Sequence, residues 1–216
     1  MNFTPDCSQI PHWLTLKKIC KAQAVLDLII CGQEFETYHR YTSSDQEEYE
    51  GQEARIGFDF EEDDGPSLHL YFIEKGCMIV PSVCENFQSI TENFEKQIPK
   101  EFQAFYKKNY HEQDIPFVIY AQGDAPWQLI TQFEIEEEIF TLKHLTSDPE
   151  FYKDWATIFF GDETEYLNDN ASTDTIAQLY EGKVLTEKMV YSIVNNIPDW
   201  LFLENELNHL PYRFDF

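Results

Sequence analysis

Four side chains in the first third of the chain have types and spacing suited to chemistry: His39, Asp59, Glu61 and His69. If the strands that carry them pair with one face in common, two imidazoles meet two carboxylates. That set suits a metal ion or an acid–base pair. The same residues also suit a solvated strand face with one cross-strand ion pair, and spacing alone favours this plainer reading. A second oxygen-rich group, Asn168, Asp169, Asn170, Ser172 and Asp174, lacks the glycine at position six and the glutamate at position twelve of a calcium loop. It reads as an Asx-turn leading into a helix cap.

Other chemical signatures do not occur. The eight glycines form no G-x-G and no phosphate-cradling loop, and there is no G-x-S-x-G and no H-E-x-x-H. The six histidines, His12, His39, His69, His111, His144 and His209, are far apart in sequence. The five cysteines, Cys7, Cys20, Cys31, Cys77 and Cys84, are odd in number and include no C-x-x-C pair. Residues 1–9 carry neither a basic stretch nor an apolar core, so no export signal is expected and the thiols are expected to be reduced. No catalytic residue, cofactor or metal ligand is assigned on this reading.

The strongest signal is charge. There are 40 Asp and Glu against 15 Lys and Arg, a formal net charge of −25. With 43% apolar and 16% aromatic residues the chain is rich enough to bury a core, so this charge belongs to a folded surface rather than a disordered acidic tail. Solubility is served by a net charge of roughly 2 to 8 in magnitude, so the excess asks for another explanation. Such a surface repels nucleic acid and anionic membrane and attracts a basic protein. The longest nearly apolar run, Ala24 to Cys31, is interrupted by Asp27 and is too short to span a bilayer.

The acids are unevenly spread. Glu34 to Asp64 holds twelve of them against Arg40 and Arg55, and Glu134 to Asp169 holds eleven against Lys143 and Lys153. The candidate partner-binding residues are therefore Glu47, Glu48, Glu50, Glu61, Glu62, Asp63, Asp64, Glu134, Glu136, Glu137 and Glu138. Tyr41, Tyr49, Trp127 and Tyr166 lie near acids in sequence, as binding anchors do, although each taken singly reads as core. The expected function is an acidic cytoplasmic protein that sequesters or inhibits a basic protein. An immunity-type inhibitor of a nucleic-acid-cleaving toxin fits, because such a toxin needs a positive cleft that carboxylates can fill. The alternatives are an enzyme with its site on the sheet near His39 and His69, or a subunit of a homo-oligomer such as a homodimer.

The elements that must carry these residues point to an α+β fold. An antiparallel sheet from the N-terminal half, a meander or hairpin over about 35–80, packs on amphipathic helices, and the C-terminal part is helical. The expected organisation is one domain over 1–216, divisible into 1–110, sheet plus helix, and 111–216, mainly helical. His12 to Gln23 has helical spacing, and Ala24 to Cys31 either extends that helix to Gly32 or forms a buried strand. Phe35 to Thr42 alternates as a strand.

Ala54 to Phe60 and Leu68 to Ile73 alternate as a hairpin. Parity selects a three-residue loop, Asp63-Asp64-Gly65, which places Phe60, Phe58 and Ile56 opposite Leu68, Leu70 and Phe72, and Asp59 opposite His69. Cys77 to Val80 is a further short strand. Ser82 with Glu85 starts a helix through Ile98, and Pro99 leads into another through Tyr106. Pro116 to Ala121 is a strand. Ser147-Asp148-Pro149-Glu150 starts a helix with Phe151, Trp155, Ile158 and Phe159 inward. Helices are expected over Thr173 to Glu181, Thr186 to Asn196 and Asp199 to Leu210, and the aromatic tail Tyr212 to Phe216 is expected to dock.

Overall fold

The computed structural model describes residues 6–33, 36–44, 51–57, 67–82, 92–110, 115–131, 140–160 and 171–216. It is an α+β fold organised around one long helix, α1 (Trp13–Cys31). The apolar run Ala24 to Cys31 is thus helical. It is apolar on nearly every side because α1 is covered on two sides. Trp13, Leu16, Cys20 and Ala24 face the sheet, while Ile19, Ala22, Leu26, Ile29 and Ile30 face the C-terminal helices. A helix wrapped in this way carries a weak amphipathic signal. Gly32 ends it at φ 54°, a conformation glycine adopts without cost.

Six antiparallel strands follow in simple meander order: β1 (His39–Ser44), β2 (Gly51–Ile56), β3 (Ser67–Ile73), β4 (Gly76–Ser82), β5 (Phe117–Gln122) and β6 (Gln128–Thr131). β6 has no counterpart in the sequence expectations. It is only four residues long, and Ile130 is its one buried side chain.

The inner face of the sheet packs on α1 through Tyr41, Ala54, Ile56, Leu68, Leu70, Phe72 and Ile79. The outer face packs Tyr71, Met78, Val80, Val118 and Ile130 on Phe94, Ile98, Phe102, Phe105, Tyr106 and Tyr110. The last four of these belong to α3 (Lys100–Tyr110), and Phe94 to α2 (Glu92–Gln97). Pro99 leads into α3, its carbonyl accepting from Phe102 N–H at 2.9 Å. Residues 83–91, including Glu85 of the expected capping box, lie outside the described residues, and Ser82 closes β4.

The hairpin differs from its expected register. Ile56, not Phe60, stands opposite Leu68, and Ala54 stands opposite Leu70. Arg55, not Asp59, stands opposite His69. Gly57 follows β2 directly. It sits at φ 116°, donates its N–H to Tyr38 O at 2.9 Å and accepts from Arg40 Nη2 at 3.0 Å. The displacement is an even number of residues, so Ile56, Leu68, Leu70 and Phe72 keep the face assigned to them. Phe58, Phe60 and the Asp63-Asp64-Gly65 loop lie outside the described residues.

The C-terminal part is helical: α4 (Pro149–Phe160), α5 (Thr173–Tyr180), α6 (Glu187–Val190) and α7 (Trp200–His209). Side chains of Asp199, Thr186 and Ser172 cap α7, α6 and α5. α6 is a single turn rather than a helix to Asn196. α4 is rotated from its expected face. Tyr152, Ala156 and Phe160 are buried, Trp155 and Phe159 are half-buried, and Ile158 is 82% exposed. The tail docks: β8 (Phe214–Asp215) pairs in parallel with β7 (Leu185–Thr186).

Candidate functional site

The densest polar group in the interior is an aspartate–histidine–histidine array. α1 supplies Asp27, β1 begins with His39, and the 3-10 helix Phe140–Leu145 supplies His144. Their exposures are 0%, 2% and 1%. One carboxylate oxygen of Asp27 accepts from His39 backbone N–H at 2.7 Å, and both oxygens lie 3.1 Å from His39 Nδ1. The other accepts from the Tyr152 hydroxyl at 2.7 Å. His39 Nε2 then meets His144 Nδ1 at 3.0 Å.

This geometry fixes the protons. A carboxylate beside His39 Nδ1 requires a proton on that nitrogen. The contact between the two imidazoles holds one proton, because two N–H groups cannot face each other at hydrogen-bond distance. Burial, and then the neighbouring His39, push His144 far down, to a pKa of about 2, so it stays neutral. Burial, then the charge of Asp27, push the Tyr152 hydroxyl well up, so it remains a donor.

Gln23, one helical turn before Asp27, donates to His144 O at 2.8 Å. Aromatic rings surround the imidazoles. Trp155 is edge-on to His39 and His144 at 4.9 Å each, and Phe151 to His144 at 5.1 Å. Tyr38 lies 5.3 Å from His144. The array therefore ties together α1, β1, the 3-10 helix and α4.

A general base must reach the proton it removes, directly or through one water. His39 turns its outer nitrogen to His144, and all three members are buried. The arrangement can hold and relay a proton internally, and its evident work is to satisfy a buried carboxylate and fix four elements in register.

The sequence left open that His39 and His69 share one face. They lie on opposite faces. His39 pairs with Ile56, and Ile56 with Leu68, on the inner face; Arg55 pairs with His69, and His69 with Val80, on the outer face. Side chains alternate along a strand, so the odd offset between the two histidines separates them. His69 has its own partners, with Nε2 at 2.8 Å from Glu53 and Nδ1 bonded to the Tyr110 hydroxyl. Asp59 and Glu61 lie outside the described residues.

Among the described residues no group of three His, Cys, Asp or Glu side chains is arranged to hold a metal ion. Cys20, Cys31 and Cys77 are free thiols, and burial pushes all three up, which makes them poor nucleophiles. No described helix is long and apolar enough to cross a membrane. Trp127 is half-buried with its indole N–H on Pro11 O at 2.9 Å, and Tyr41 is core, its hydroxyl donating to Gln52 at 2.7 Å. Tyr49, Tyr166 and all eleven candidate partner-binding acids lie outside the described residues.

Fold and interior together define an α+β protein whose six-stranded meander is covered on both faces and locked to its central helix by a buried Asp–His–His array. No protein-family model, curated protein or solved structure matches the chain.

Proposed function

We propose that this chain is an acidic cytoplasmic binding protein that sequesters or inhibits a basic protein, an immunity-type inhibitor of a nucleic-acid-cleaving toxin being the form that fits best. One observation carries the reading. Ile56 pairs with Leu68, Leu68 with Pro81, and Phe117 with Thr131 at one end of the sheet. Segments 58–66 and 132–139 are therefore rooted at that same end. Between them they hold Asp59, Glu61, Glu62, Asp63, Asp64, Glu134, Glu136, Glu137 and Glu138, and no Lys or Arg. α1 also ends on that side, where its Asp27 meets His39, and the negative end of the helix dipole adds to the field. Opposite charge concentrated at one end speeds encounter with a cationic cleft and orients it.

The test is in two stages. Immobilised protein is offered lysate, and a stoichiometric basic protein eluting with salt is identified. Its association rate is then measured against ionic strength. The proposal expects a steep fall as the screening length shrinks from about 10 Å at 0.1 M to about 3 Å at 1 M. A rate indifferent to salt overturns it.

A further inference from the structure

Lys17 and Lys21 are one turn apart on α1 and both are half-buried. Among the described residues neither ammonium has a carboxylate within ion-pair distance, whereas Arg40 and Lys183 pair with Glu36 and Glu181. Instead each sits over an aromatic ring of the inner sheet face. Lys17 Nζ is 5.9 Å from the centre of Phe72, and Lys21 Nζ is 5.2 Å from that of Tyr41. Burial lowers both lysines, and Lys17 lowers Lys21 further by repulsion.

The three strands beneath them complete a pattern. Tyr41 is on β1 and Phe72 on β3, and the strand between, β2, presents Gln52 opposite Phe72 on the same face. The amide oxygen of Gln52 accepts from the Tyr41 hydroxyl at 2.7 Å, which leaves its NH2 as a donor. Two ammoniums and one amide NH2 thus share one corner of the molecule, over a floor of two rings. Like charges at this helical spacing destabilise, and partial desolvation adds to the cost. An anion seated among these donors removes both costs.

We infer that Lys17, Lys21 and Gln52 form a binding site for a doubly charged phosphate oxyanion, free or as a small phosphomonoester. A phosphate offers enough acceptor oxygens for all three donors, and lysine is a customary phosphate ligand as a point charge. The site lies at the end of the sheet where Ser43 pairs with Gln52, opposite to the end that roots segments 58–66 and 132–139. It is independent of the proposed basic partner.

Lysine side chains labelled with carbon-13 at Cε are followed by NMR as inorganic phosphate, and separately glycerol phosphate, is added at constant ionic strength. Saturable shifts of Lys17 and Lys21 are expected, with Lys18 unmoved and both lysines titrating at higher pH when ligand is bound. Lys17→Gln or Lys21→Gln should weaken binding roughly tenfold or more, the loss of one charge-assisted hydrogen bond, and Lys18→Gln should not. Saturation by the ester alone, by free phosphate alone, or by both supports the site and identifies the source. Absence of saturation by either in the wild-type protein overturns it, whatever the variants do. Equal weakening by Lys18→Gln also overturns it, since that is the signature of diffuse attraction.

Discussion

His39 and His144 share one proton inside the protein, Nε2 to Nδ1 at 3.0 Å, although 105 residues separate them in sequence. Asp27 stands behind that pair and takes three donors, two from His39 and one from Tyr152. A buried carboxylate is tolerable only when its acceptors are satisfied in this way. The array contributes specificity as well: α1, β1, the 3-10 helix and α4 have one relative arrangement in which all the bonds form.

Removing the carboxylate should be far more damaging than removing one of its donors. Asp27→Ala leaves the His39 backbone N–H, the His39 ring and the Tyr152 hydroxyl without their acceptor, and should cost about 3–5 kcal/mol. Tyr152→Phe removes a single hydrogen bond to a charged group and should cost about 1.5–3 kcal/mol. Urea unfolding of the two variants measures both. Equal losses would mean that Asp27 does not organise the array.

Part of this was legible in the chain and part was not. The strand faces survived because alternation fixes which side chains go inward, and a register error of even size preserves it. The register differed where Gly57, at φ 116°, bonds to Tyr38 just ahead of β1, a contact that no local rule connects to the hairpin. Asp27, alone within the apolar run Ala24 to Cys31, was the available signal for a buried polar partner. Its partners, His39 and Tyr152, and His144 bonded in turn to His39, come from three separate elements, so spacing cannot find them. α4 was misread because Ile158 and Phe151 satisfy helical periodicity, while the bond from Tyr152 to Asp27 sets the actual rotation.

Acid should weaken the fold through His144. In the unfolded chain this side chain binds a proton below pH 6.5, whereas in the folded protein it does so only near pH 2. The unfolded state therefore binds more protons throughout that window. Stability present above pH 6.5 is lost as pH falls, by up to about 1.4 kcal/mol per pH unit from this group. His144→Asn keeps a polar group near the Nδ1 position and removes the titration. The difference in unfolding free energy between wild type and variant should shrink by about that slope from pH 6 to pH 5. A constant difference would show that His144 does not carry the acid sensitivity.

The rotation of α4 predicts opposite effects at two apolar positions. Ile158 is 82% exposed, so Ile158→Ser should change stability by less than about 0.5 kcal/mol. Trp155 packs edge-on against both histidines and stacks on Phe159 at 5.0 Å, so Trp155→Ala should cost about 3 kcal/mol or more. Thermal melts of the two variants would settle the helix face, because the sequence periodicity alone expects both to be costly.

Gly76 is required by a close approach rather than by its backbone angles. A Cβ there would sit 2.5 Å from the carbonyl oxygen of Ala121 on the paired strand. Backbone cannot move aside as a flexible side chain can, so Gly76→Ala should cost about 1–3 kcal/mol. Gly32, with φ 54° and no atom within 4 Å of its Cβ position, should lose only about 1 kcal/mol on the same change. Denaturant midpoints of the two alanine variants test the ranking, and a larger loss at Gly32 would contradict it.

The proposed basic partner should distinguish the two ends of the sheet. Segment 45–50 joins Ser44 to Gly51, which pair at the end opposite to Ile56 and Thr131. Glu47, Glu48 and Glu50 are thus rooted away from Glu61, Glu62, Asp63 and Asp64, although both groups carry the same sign. Charges at the rim of a docking surface act on association rate, and the effect fades over about 10 Å at 0.1 M salt. Replacing Glu61, Glu62, Asp63 and Asp64 together by Ser should slow association and flatten its salt dependence. Replacing Glu47, Glu48 and Glu50 by Ser should do so much less, after allowance for the smaller change in net charge. Stopped-flow rates at several ionic strengths decide the matter. If both variants slow in proportion to the charge removed, attraction is a property of the whole surface and the 58–66 segment has no privileged role. If only the 47–50 variant slows, the partner approaches from the other end of the sheet.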